Sequence, residues 1–112
     1  WDKLLGFNIF DKDIIPTEIS YYLTKQNEYG LPLDNREAYT KTDWVLWTAT
    51  MAENPEDFKA IVDPIHKFYN ETMDRVPMSD WTWTDKNNRR GFMTRAVVGG
   101  LFIKMLDNKD NM

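Results

Sequence analysis

The sequence predicts an all-α fold of antiparallel helical hairpins. Three observations point there. Apolar residues recur at helical spacing in several separate segments, helix-starting and helix-stopping residues stand between those segments, and most connections are short. The chain has 112 residues, the size of one domain or one segment of a larger one.

The elements follow in order. Trp1, Leu4 and Leu5 share a helical face that halts at Gly6, which reads as the last turns of a helix whose start lies upstream, and so as a piece of something longer. Asp13 and Pro16 introduce a helix over 17–26 with Ile19, Tyr22, Leu23 and Gln26 on one stripe and Gly30 as its stop. Gly30 through Asn35 is turn material. The next helix starts near Thr42, capped by Thr42-Asp43, and runs to Met51 or Ala52. Its expected face holds Trp44, Trp47, Thr48 and Met51, broadened by Val45, Ala49 and Ala52.

Asn54-Pro55-Glu56-Asp57 is a strong restart: a cap, a proline at the first position, then acids at the positive helix end. Phe58, Ile61, Val62, Ile65, Phe68 and Tyr69 then fit a helical period, and Pro64 predicts a kink or break among them. Over 72–92 the periodicity vanishes, as in a functional or mobile loop, with a two-stranded excursion around 81–84 turning at Asn87-Asn88. A final helix over 94–106 would bury Val97, Leu101, Phe102 and Met105. Close packing would offset the helix cost of Gly99-Gly100, and the polar tail 107–112 would fray.

Composition narrows the function. Lys plus Arg is 14 and Asp plus Glu is 18, so the net charge of −4, with no basic block, gives no footprint for nucleic acid. With no cysteine, the chain offers no disulfide, thiolate metal site or cysteine nucleophile. Aromatics at 14% supply too much large apolar surface for a disordered segment. No apolar run reaches the roughly 18 residues of a membrane span. No motif calls for a metal or another cofactor, and the lone His66 has no second histidine to ligate with.

The sharpest chemical features are two Asp-Trp pairs, Asp43-Trp44 and Asp80-Trp81. An indole beside a carboxyl excludes water and raises its pKa, while the carboxylate moves a proton or accepts a hydrogen bond. The plainer alternative makes Asp43 a helix cap, Asp80 a turn residue and both tryptophans core. The pairs lie in a weak echo, Lys41-Thr42-Asp43-Trp44 against Met78-Ser79-Asp80-Trp81. Arg75 and Arg95 could fork onto a substrate carboxylate, whereas Arg89 and Arg90 read as solvated or ion-paired. Asn70-Glu71-Thr72 is a glycosylation sequon, meaningful only in a eukaryotic secretory route.

Longer blocks carry a resemblance. Tyr22-Leu23-Thr24-Lys25-Gln26-Asn27-Glu28-Tyr29-Gly30-Leu31-Pro32-Leu33-Asp34-Asn35-Arg36 resembles a signature of glutaminase A-type proteins. So do Tyr39-Thr40-Lys41-Thr42-Asp43-Trp44 with Trp47-Thr48-Ala49, then Phe68-Tyr69-Asn70-Glu71-Thr72 through Arg75-Val76-Pro77-Met78-Ser79-Asp80-Trp81, and last Gly91-Phe92 with Arg95-Ala96-Val97-Val98-Gly99-Gly100. The blocks keep the family's order over about 1–106. One departure is Met73, where the family more often has Pro before the arginine.

The resemblance implies the C-terminal part of a six-helical-hairpin domain similar to an (α/α)6 toroid, in a large, commonly exported multidomain chain. It thereby implies an extracellular or periplasmic location. The implied activity is hydrolysis of L-glutamine to glutamate and ammonia by the parent chain, the isolated segment being inactive. Asp43 and Asp80 are then catalytic candidates, and Trp44, Arg75, Ser79, Trp81 and Arg95 substrate-binding ones. The expected partners are a small-molecule substrate, glutamine or a sugar, and the rest of the parent polypeptide.

Three readings remain open. In an amidohydrolase, Ser79, Thr42 or a water activated by Asp43 or Asp80 would attack, and Arg75 or Arg95 would hold the α-carboxylate. In a carbohydrate-active toroid, Asp43 and Asp80 would be acid and base across a glycosidic bond. In a scaffold, both aspartates would be buried and used up by backbone N–H groups.

Overall fold

Helices form where the periodicity is strongest. In the computed structural model, which describes residues 1–108, α1 spans Asp2–Leu5, α2 Ile14–Leu23, α3 Thr42–Thr50 and α4 Pro55–Glu71. A 3-10 helix, Ala96–Phe102, leads into α5, Ile103–Asp107. The expectation of an all-α chain is corrected by two short strands, β1 at Tyr39–Lys41 and β2 at Trp81–Trp83. They pair antiparallel, with Tyr39 opposite Trp83, Thr40 opposite Thr82 and Lys41 opposite Trp81. Three residues are too few to show a period-two signature, and β1 lies far from its partner in sequence.

Several helix ends match their signals. Gly6 closes α1 in the left-handed conformation at φ 64°. Asn54 caps α4, its side-chain oxygen accepting from the Asp57 N–H at 2.8 Å. α3 begins at Thr42 as expected, but its cap position is Lys41 and no side chain closes it. α2 begins earlier than its stripe suggested, at Ile14, so Pro16 falls in its first turn. It ends at Leu23, so Gly30 is no helix stop. Gly30 closes a small bridge with Asn27 at φ 132° instead, packed against Ile65.

α4 runs unbroken through Pro64, contrary to a break there. Proline has no N–H for the Ala60 carbonyl one turn back. That carbonyl accepts instead from the Gln26 side-chain amide at 3.0 Å, so the lost helical bond is replaced from outside.

α3 lies at the centre, packed on α4, the 3-10 helix and α5. With α4, joined through residues 51–54, it forms a helical hairpin. The core joins Ile19 of α2, Val45, Leu46 and Ala49 of α3, Ala52 of the connection that follows it, Ile61 and Ile65 of α4, and Ile103 of α5. Trp44, expected on the buried face, is 53% exposed, because α3 turns Val45, Leu46 and Ala49 inward instead. Near the C-terminus, the expected buried set fails for Val97, Phe102 and Met105, which are exposed, while Ile103 is buried. The 3-10 winding has about three residues per turn, so a face projected at 3.6 drifts off target. Of the expected frayed tail, residues 109–112 lie outside those described.

Residues 72–92 are tied down despite lacking periodicity. Asp74 accepts from the Arg89 backbone N–H at 2.9 Å and ion-pairs with its guanidinium. The excursion expected at 81–84 is present: after β2 the chain turns back, and Trp83 N–H reaches the Asn88 carbonyl while Arg90 N–H reaches that of Trp81. Arg90 pairs with Glu37 and lies over the Tyr39 and Trp81 rings. Both arginines are thus ion-paired, as their sequence context suggested.

Candidate active site

The sheet register brings the two echoed tetrapeptides together. Because Lys41 pairs with Trp81, the next residue on one chain meets the preceding one on the other, and the Thr42 N–H donates to the Asp80 carbonyl at 2.8 Å. Asp43 stands in the first turn of α3 and Asp80 immediately before β2, and both are buried, at 4% and 0% exposure. Two carboxylates so placed need compensation, and it is unequally divided.

Asp80 receives nearly all of it. Arg95 forks onto both its oxygens, Nε to Oδ1 at 3.2 Å and a terminal nitrogen to Oδ2 at 2.6 Å. Lys41 Nζ adds a longer ion pair at 3.8 Å while lying 4.3 Å over the Trp81 ring. Arg95 is accordingly held more firmly protonated by its hydrogen bond to Asp80.

Asp43 is left different. Its Oδ1 is buried with no hydrogen-bond partner among the described residues. Burial pushes its carboxyl above the ordinary 3.8, the Trp44 backbone N–H opposes this, and the negative charge of Asp80 adds to it. Trp47 Nε1, a donor, is also buried without a partner among the described residues. Gly100 covers both: a Cβ there would stand 2.7 Å from Asp43 Cβ and 3.0 Å from Trp47 Nε1. The close packing expected of the glycine pair is therefore met by Gly100, whereas Gly99 faces open space.

Tyr69 closes the cluster from α4. Its hydroxyl donates to the Ser79 carbonyl at 2.6 Å, so Thr42 Oγ1, 3.1 Å away, donates to it in turn. Burial lifts the Tyr69 phenol to about 12. The Ser79 hydroxyl serves the backbone, donating to the Phe92 carbonyl and accepting from the Trp81 N–H at 3.1 Å. Trp81 stacks on Phe92 at 5.4 Å.

Of the residues singled out in the sequence, Asp43, Asp80, Ser79, Trp81 and Arg95 share this neighbourhood. Trp44 extends outward from its rim, 5.2 Å from Trp47. Arg75 is exposed and no ion pair or hydrogen bond of its side chain is formed among the described residues. Lys41, Tyr69, Trp47 and Gly100 were not among the site residues that the sequence suggested. Lys41 opens one arm of the echo, which was a usable signal, whereas Tyr69 and Trp47 read as core-face aromatics.

A sequence model of the glutaminase A six helical-hairpin domain matches residues 1–105, and the chain belongs to that family. It is 31% identical over 112 residues to a protein named Glutaminase A from Aspergillus oryzae, covering 94% of this chain and 16% of that one. A second relative, a probable glutaminase from Arthroderma benhamiae, is 32% identical over 110 residues, covering 81% of this chain and 13% of the relative. The chain thus spans less than a fifth of the length of either relative. No solved structure matches.

Proposed function

We propose that the chain is the part of a glutaminase-like amidohydrolase that contributes the proton-transferring carboxylate, Asp43. One observation carries the reading: a carboxylate 4% exposed with one oxygen unspent and its pKa raised. A general base works best when its pKa approaches the operating pH, and burial beside another carboxylate moves an aspartate that way. The names of the two fungal relatives supply the substrate, L-glutamine.

In this reading Asp43 Oδ1 takes a proton from water as the water oxygen bonds to the side-chain carboxamide carbon. The protonated carboxyl then returns that proton to the amide nitrogen as the carbon–nitrogen bond breaks, releasing ammonia and leaving glutamate. The Trp47 indole N–H, unspent beside Asp43, is a donor for the oxyanion that develops between those steps. Asp80 is paired with Arg95 and Lys41, and its charge adds to the burial that raises the Asp43 pKa. The remaining machinery comes from the parent chain, as does the closure of any toroid and export from the cell.

The test is ammonia release from L-glutamine by the full-length parent and its Asp43→Asn variant, with folding checked by circular dichroism. The variant should lose at least about a hundredfold in kcat, the scale of general acid–base catalysis. A folded Asp43→Asn protein with wild-type turnover overturns the assignment. A carbohydrate is the second reading, favoured by the exposed Trp44 face. In that reading Asp80 is poorly suited as acid or base, since Arg95 engages both of its oxygens.

A further inference from the structure

An open cleft of about 560 Å³ lies between α2, α3 and the loop over residues 31–35, sharing Trp44 with the rim of the polar cluster. Its walls are mainly apolar, from Leu31, Leu33 and Val45, with the rings of Tyr21 and Trp44 both more than half exposed. Three polar features interrupt that surface. Thr40 reaches the lining, and its hydroxyl is buried with no hydrogen-bond partner among the described residues. Asp34 stands on the rim with its charge already taken by a fork from Arg36, which keeps its carboxyl below the ordinary range. Lys25 lines the cleft too, and its ammonium lies 5.2 Å over the Tyr21 ring with no carboxylate against it among the described residues.

The balance of charge in this cleft is therefore one uncommitted cation. The arginines that the sequence offered for a carboxylate are placed otherwise, Arg95 being engaged by Asp80 and Arg75 standing outside the cleft lining. We propose that the cleft is the substrate-recognition site and takes a carboxylate-bearing small molecule: Lys25 pairs with the carboxylate, and the uncharged body lies against Trp44 and the Leu31–Leu33 wall. The inference rests on the amidohydrolase reading for the identity of that molecule, L-glutamine, whose α-carboxylate Lys25 would hold. It moves the specificity determinant from Arg75 and Arg95 to Lys25. An apolar pocket with a few placed polar groups is the usual form of a small-molecule site.

The test measures binding by calorimetry on the full-length protein, with ammonia release recorded in parallel. The probes are L-glutamine, the analogue whose α-carboxylate is converted to an amide, and a neutral disaccharide. The wild type should prefer glutamine to the amide by about tenfold, the scale of one charge-assisted hydrogen bond. Lys25→Met should abolish that preference and Lys25→Arg should retain most of it, with KM following binding and kcat changing little. Equal binding of the two probes by the wild type overturns the proposal, as does a preference unchanged in Lys25→Met. Tighter binding of the disaccharide, indifferent to Lys25, overturns it in favour of a sugar site. If the carboxylate preference holds but no ammonia appears, the reaction assignment fails while the cleft assignment stands. Ammonia release without the preference gives the converse.

Discussion

The two adjacent glycines of the 3-10 helix make a matched experiment on the candidate site. Neither Gly99 nor Gly100 has a positive φ, so alanine is compatible with the backbone at both. In a helical segment alanine is favoured over glycine by about 0.5–1 kcal/mol through lower chain entropy in the unfolded state. At Gly99 a new Cβ meets nothing within 4 Å, so Gly99→Ala should be neutral or stabilise by up to about that amount. At Gly100 the same methyl would meet Asp43 Cβ at 2.7 Å and Trp47 Nε1 at 3.0 Å, with Asp43 Cα behind at 3.5 Å. Asp43 Cβ is fixed to the α3 backbone and cannot swing aside, so the 3-10 helix must lift from α3. Overpacking of this kind costs about 1–3 kcal/mol, which exceeds the alanine gain. Gly100→Ala should therefore lower the urea midpoint while Gly99→Ala holds or raises it. In the full-length parent only Gly100→Ala should slow ammonia release, because it displaces Asp43 and Trp47. Equal midpoints for the two variants would refute the close approach on which the site geometry depends.

Other outcomes follow from the charges and from the exposed apolar surface. Asp43 binds its proton more tightly folded than unfolded, so the wild type loses stability as pH rises from about 3.8 through the raised folded value. Asp43→Asn should accordingly be the more stable protein near neutral pH, with the advantage vanishing below pH 3.8 in thermal melts at several pH values. Arg95→Met should cost about 3–5 kcal/mol in denaturant unfolding, because it strips the main partner from a buried carboxylate. Asp80→Asn should cost less, since the Arg95 side chain is 37% exposed and can turn to water. The segment expressed alone leaves Trp1, Phe7, Ile9, Phe10 and Phe102 exposed, and size-exclusion chromatography should find it self-associated rather than a clean monomer.

What the residues made legible was local chemistry with a strong period. The Asn54 cap, the Gly6 stop and the Ile61–Ile65–Phe68 face are each written within one helical turn or two, and each is present. What stayed hidden depends on partners distant in sequence. Pro64 signals a break unless the Ala60 carbonyl can find a substitute donor, and that donor, Gln26, lies in another part of the chain. β1 is invisible because a three-residue strand exists only through its partner. Of the candidate site, the two aspartates and Arg95 were visible as residue types. The split in their fates was not, because Asp43 and Asp80 each sit before a tryptophan in near-identical local sequence.

That split is a consequence of register, which the buried threonines fix. Thr40 and Thr82 oppose each other on the inward face, while Tyr39, Lys41, Trp81 and Trp83 take the outward one. A slip of one residue would send aromatic and charged side chains inward and separate Thr42 from Asp80. The small inward pair thus sets where both carboxylates fall without touching either charge. Its hydroxyls do not hold the register, because Thr82 Oγ1 is buried with no partner among the described residues. Thr82→Val keeps the shape and removes a polar group that makes no bond, so stability should hold or rise, by up to about 1–3 kcal/mol, and turnover in the full-length parent should be unchanged. A loss of stability with a loss of turnover would mean that the hydroxyl, rather than the size of the side chain, positions the site.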